Sequence, residues 1–104
     1  MRKHEEYLER DDLKDATHLK IEVFYTKGGT NYFSGDATRR GYYLSVTPVT
    51  LNKNSVSFTL FSGYKHLLLE SKRYTDKQFA RAIEMAEEHK EALIDVVIEK
   101  NKAA

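Results

Sequence analysis

Residues 75–100, TDKQFARAIEMAEEHKEALIDVVIEK, decide the fold: they read as one long amphipathic helix, and the chain before them must supply the surface it covers. Thr75 is a good N-cap, Gln78 stands three residues on in the capping-box position, and Asp76 places negative charge in the first turn, where the helix dipole favours it. Phe79, Ile83, Ala86, Leu93 and Val97 recur at helical spacing, and Ala82, Ile94 and Ile98 widen the stripe. Lys100 and Lys102 lie near the negative end of the dipole. About 25 residues would span roughly 37 Å, more than a small sheet needs. The C-terminal apolar turn (Leu93, Ile94, Val97, Ile98) is therefore expected to meet a second chain.

Moving towards the N-terminus, the period changes from helical to two. Residues 64–74 (YKHLLLESKRY) read as a strand in which Leu67 and Leu69 alternate, although LLLESK is also compatible with helix. Residues 55–61 place Val56, Phe58 and Leu60 on one face and Ser57, Thr59 and Phe61 on the other, after a short Asn52-Lys53-Asn54 connection. Gly41 opens another strand, where Tyr42, Leu44 and Val46 alternate with Tyr43, Ser45 and Thr47; Pro48 then marks a bulge or an unpaired edge position. In residues 18–26, Leu19, Ile21, Val23 and Tyr25 face one way, and Lys20, Glu22, Phe24 and Thr26 the other. Residues 1–17 alternate in charge and offer only Tyr7, Leu8 and Leu13 as anchors, which predicts a frayed helix or a disordered arm. The expected fold is α+β: one four-stranded antiparallel sheet in ββββα order, with the long C-terminal helix on one face and a charged arm ahead of a single domain at 18–104.

The totals bound what such a domain can do. There are 104 residues, enough for one domain, and no cysteine, which fits a reducing compartment and excludes a disulfide framework. The charged N-terminus has no apolar h-region, and the longest aliphatic runs are three residues, so neither a secretory signal nor a membrane span is expected and the cytoplasm is the natural location. The net charge of +1 conceals a pattern. Between Thr26 and Tyr74 seven Lys/Arg stand against two acids, while residues 1–25 and 75–104 each carry five bases and seven acids. Six of the seven tyrosines and four of the five phenylalanines also fall between residues 24 and 74. A basic, ring-rich centre of this kind can hold a polyanion.

Two places could do so. Residues 27–41 (KGGTNYFSGDATRRG) form a long loop with four glycines that match neither a P-loop nor a dinucleotide fingerprint. Loops of this length are often functional, and this one would present Lys27, Asn31, Tyr32, Arg39 and Arg40 on a finger; the plainer reading is a hairpin whose glycines permit its turns. The sheet face away from the helix would carry Phe24, Tyr43, Phe61, His66 and Tyr74, with Lys65, Lys72 and Arg73 nearby. Exposed rings stack on unpaired bases while cations neutralise phosphate; the competing reading is ordinary strand packing or a dimer interface. Glu84, Glu88 and Glu91 share a helix face but read as solvated and paired to neighbouring cations, so no metal or other cofactor is expected. His4, His18, His66 and His89 are scattered, and no nucleophile–base motif accompanies the serines and threonines, so an enzyme is not expected.

The block KGGTNYFSGDATRRGYYLSVTPV (residues 27–49), followed by SVSFTLFSGYKHLL (55–68), resembles small uncharacterised proteins carried by bacterial phages and mobile elements, in which K-G-G, N-Y-[FW], R-G-Y-Y and an S-G before the last strand recur. The resemblance covers residues 19–100 and implies no activity. In architecture alone, the ββββα order with a basic, ring-rich sheet looks like the single-strand-binding transcription cofactor and whirly folds, with no motif shared. The sequence thus leads to a non-enzymatic nucleic-acid-binding protein, preferring single-stranded DNA or RNA and acting as a homodimer. Lys27, Arg39, Arg40, Lys65, Lys72 and Arg73 would meet phosphates, and Tyr32, Phe33, Tyr43 and Phe61 would stack. The alternative is an adaptor that binds another protein through the same residues, since Tyr and Arg are enriched at interface hot spots.

Overall fold

A computed structural model describes residues 3–13, 16–30, 37–52, 55–58 and 63–103. In chain order these form β1 (His4–Glu9), β2 (His18–Thr26), β3 (Gly29–Thr30), β4 (Ala37–Thr38), β5 (Gly41–Asn52), β6 (Ser55–Phe58), β7 (Tyr64–Glu70) and α1 (Asp76–Ala103). The segment 64–70, which the sequence allowed as strand or helix, is strand.

β5 is the centre of the antiparallel sheet. β2 runs along one of its edges from His18↔Val49 to Thr26↔Gly41. The other edge is shared end to end by β7, against Gly41–Val46, and β6, against Val49–Asn52. The sheet is therefore four strands wide, with β1 outermost, then β2, β5 and the broken strand β6–β7. This is the expected α+β architecture, a four-stranded antiparallel sheet with one long C-terminal helix against it, but two places are filled differently. The segments expected as third and fourth strands occupy one edge in series. The vacated place belongs to residues 4–9, which form a strand paired to β2 from His4↔Val23 to Glu9↔His18 rather than a frayed helix or disordered arm.

The breaks in the β5 edge have visible causes. Pairing to β7 stops at Val46 and pairing to β6 starts at Val49, so the gap brackets Pro48, which has no amide hydrogen to give. Gly63 lies against this gap so closely that a Cβ would stand 2.1 Å from the Val46 carbonyl oxygen. A second irregularity falls between Tyr42 and Tyr43, where the partners step from Leu69 to Leu67 and pass over Leu68. The step buries Leu68 in the core and pairs His66 with Leu44, so His66 turns to the helix rather than to the open face.

α1 covers one face. Leu19, Ile21, Val23 and Tyr25 from β2, Tyr42, Leu44 and Val46 from β5, and Leu68 from β7 pack with Phe79, Ala82, Ala86, Leu93, Ile94, Val97 and Ile98 in one core. The C-terminal turn expected to meet a second chain is thus buried within its own. Thr75 caps the helix as expected, its Oγ1 accepting from the Gln78 N–H at 3.1 Å. No helix among the described residues is long and apolar enough to cross a membrane.

Candidate functional site

The sheet register gathers three strand ends at one corner. Thr26 at the end of β2 is opposite Gly41 at the start of β5, and Gly41 is opposite Glu70 at the end of β7. The residues just outside these ends therefore converge: Lys27 after β2, Arg40 before β5, and Lys72 and Arg73 between β7 and α1. With Tyr25 and Tyr74 they line a cleft of about 540 Å³. Four of its six lining residues are cations and none is an acid. The close approach depends on Gly41, where a Cβ would meet the Leu69 carbonyl oxygen at 2.4 Å.

Hydrogen bonds to backbone carbonyls hold the cleft together. The Arg40 Nε–H donates to the Lys27 carbonyl at 3.1 Å, and its Nη1 reaches the Lys72 carbonyl at 3.5 Å. The Ser71 N–H donates to the Arg40 carbonyl at 3.1 Å, and the Tyr25 hydroxyl donates to the Ser71 carbonyl at 3.3 Å. Arg40 so clasps both walls, and the remaining donors of its planar fork can serve an anion. Gly28 has φ +81°, a left-handed conformation that lets the chain leave β2 and enter the β3–β4 ribbon. That ribbon pairs Gly29 with Thr38 and Thr30 with Ala37, so the glycine loop is a hairpin at its base.

Rings form the floor. Tyr25, Tyr42 and Tyr74 lie with centroids 5.0–6.0 Å apart, and Phe79 joins them from the first turns of α1 at 5.9 Å from Tyr74. The Tyr42 hydroxyl accepts from the Thr75 N–H at 2.9 Å and lies 3.1 Å from Gln78 Oε1. Gln78 also accepts from Ser71 Oγ at 2.9 Å, so its side chain ties the cleft to the helix start. Tyr74, expected on the open sheet face, is part of this cluster.

The other expected residues lie elsewhere. Arg39 is exposed and 3.8 Å from Glu70, and its carbonyl accepts from the Tyr43 hydroxyl at 2.7 Å. Tyr43 is on the face away from the helix but is only 6% exposed, with Phe24 stacked at 5.9 Å and Lys65 Nζ 5.1 Å above its ring. A base would have to displace these neighbours to stack there. The same face carries acids: Glu5 is opposite Glu22, and Lys20 Nζ lies 3.9 Å from a carboxylate oxygen of each. It is thus neither uniformly basic nor an open aromatic platform. Tyr32, Phe33 and Phe61 lie outside the described residues.

Of the ten expected residues, the fold brings Lys27, Arg40, Lys72 and Arg73 together and adds Tyr25, expected on the inward face of its strand, and Tyr74, expected on the open face. Their signal was adjacency, a tyrosine beside or two places from a cation at a strand or helix end. Among the described residues no group of three or more His, Asp or Glu is arranged to hold a metal ion. No family model matches this chain, and no curated protein or solved structure does.

Proposed function

We propose that this chain is a non-enzymatic nucleic-acid-binding protein that prefers single strands and seats phosphates in the cleft of Lys27, Arg40, Lys72 and Arg73. One observation carries the reading: four cations from three separate segments converge on tyrosines, and none has an acidic partner among the described residues. Holding like charges together costs free energy in the unliganded protein, and an anion recovers it. Arg40 offers a fork suited to a phosphate's oxygens, while the lysines act as mobile point charges. Tyr74, half-buried at the wall, offers ring surface to a base. Arg39, next to Arg40, extends the basic path.

The test is a fluorescence-anisotropy titration of labelled single-stranded DNA, single-stranded RNA and duplex at about 50 and 200 mM salt, the span over which phosphate contacts reveal themselves. Single-strand binding that weakens steeply with salt, and is itself weaker in Lys72→Ala/Arg73→Ala, is the expected result. Those two residues are exposed and can be changed without touching the Arg40 clasp. Absence of binding at low salt sinks the reading and passes the same residues to a protein partner, whose interface would respond little to salt.

A further inference from the structure

His66 and His89 are far apart in sequence, but the fold sets them face to face. His66 lies opposite Leu44, a core residue, and so points from β7 to the helix. His89 lies on α1 one turn from both Ala86 and Leu93, on the side that meets β7. Their ring centres are 4.9 Å apart and their planes are inclined by 47°, which is not a parallel stack. Both rings line a cavity of about 260 Å³ with Tyr64, Ala92, Leu93 and Val96.

We propose that His66 and His89 form a site for a late first-row divalent metal ion of the zinc, copper or nickel class. A metal about 2.0–2.1 Å from a ring nitrogen stands about 3.2 Å from that ring's centre, so two imidazoles meeting at a right angle have centres about 4.5 Å apart and at a tetrahedral angle about 5.2 Å. The observed separation falls between these limits. Neutral imidazole is the ligand these ions favour, and both rings are held by regular elements rather than loops. With no third ligating side chain clustered there among the described residues, the ion has two protein ligands and keeps positions open to water or a small ligand. The adjoining cavity, walled by Ala92, Leu93 and Val96, limits the size of what can enter. This site is independent of the cation cleft.

The experiment is a calorimetric titration of the full chain with zinc chloride alone in a non-coordinating buffer, together with ¹H–¹⁵N spectra of the histidine side chains. Zinc is expected to bind once and to shift the ring signals of His66 and His89 together, leaving those of His4 and His18 in place. His66→Ala and His89→Ala should each weaken binding about tenfold or more, since losing a ligand costs at least what losing a ligand's supporting hydrogen bond does. His4→Ala/His18→Ala should leave it unchanged. No heat and no shift up to millimolar zinc, shifts confined to His4 or His18, or binding that survives both ligand substitutions would each overturn the proposal. The spectra of the unaltered protein decide the matter even if His66→Ala folds poorly.

Discussion

A methyl group added at Gly63 would stand 2.1 Å from the Val46 carbonyl oxygen and 2.7 Å from the Thr47 Cα, and both are backbone atoms that cannot rotate away. Gly63→Ala is therefore expected to destabilise the chain by about 1–3 kcal/mol, the usual cost of forcing extra volume into a packed site, measured as a lower urea midpoint. A midpoint equal to the parent's would mean that β7 does not approach β5 so closely. Glu22 gives a prediction with a pH axis. Its side chain is only 14% exposed, and burial, followed by the hydrogen bond with Glu5, raises its carboxyl above the ordinary carboxylate range. Lys20 and Lys3, at 3.9 and 3.7 Å, oppose that shift without cancelling it. A raised folded value means that the folded chain holds this proton more tightly than the unfolded chain. Stability from this group is therefore present at low pH and is lost as pH rises from the ordinary carboxylate range through the raised value. Glu22→Gln should flatten that decline in thermal melts taken across the window. An unchanged slope would remove Glu22 as its source.

At the scale of elements, β1 shows how a strand can exist without a buried face. All six residues of HEEYLE are exposed, so the ladder to β2 and a few ion pairs hold it. Lys90 Nζ contacts Glu6 Oε1 from the helix, and this hydrogen bond, the larger cause, raises the Lys90 ammonium above its ordinary value. Lys3 and Lys20 reach Glu22 and Glu5 from either side of the β1–β2 pair. Three glutamates on an outermost strand also discourage another chain from adding to it. Lys90→Ala is expected to speed amide hydrogen exchange in β1 while leaving β2 and β5 protected, with at most about 1 kcal/mol lost overall, because the pair is partly exposed. Equal acceleration across the whole sheet would show that β1 is integral to global stability instead.

For the molecule as a whole, the arrangement of charge matters more than its sum. A chain of formal charge +1 brings four cations to one corner because three strand ends meet there. If all four meet phosphate, the logarithm of the single-strand binding constant should fall against the logarithm of salt with a slope of about −3, following about 0.7 per contact. Lys72→Ala/Arg73→Ala should roughly halve that slope. A slope near zero in the parent would show that phosphates do not sit in the cleft.

Local pattern was sufficient wherever one face of an element had to be buried. The helix stripe from Phe79 to Ile98, the period-two run from Leu19 to Tyr25 and the Thr75 cap were legible because burial leaves a periodic mark on the sequence. β1 left no such mark, because none of its six residues enters the buried core. Nor could periodicity show that the expected third and fourth strands share one edge of β5; that follows from Pro48, Gly63 and the step over Leu68 acting between strands. The same step turned His66 from the outer face to His89. Basic residues and tyrosines could be counted along the chain, but which of them share a cleft depends on register. Sequence alone therefore determined the α+β class, the helix and its core stripe, whereas tertiary structure decided the order along the sheet edge and the company each cation keeps, because pairing between distant strands sets both.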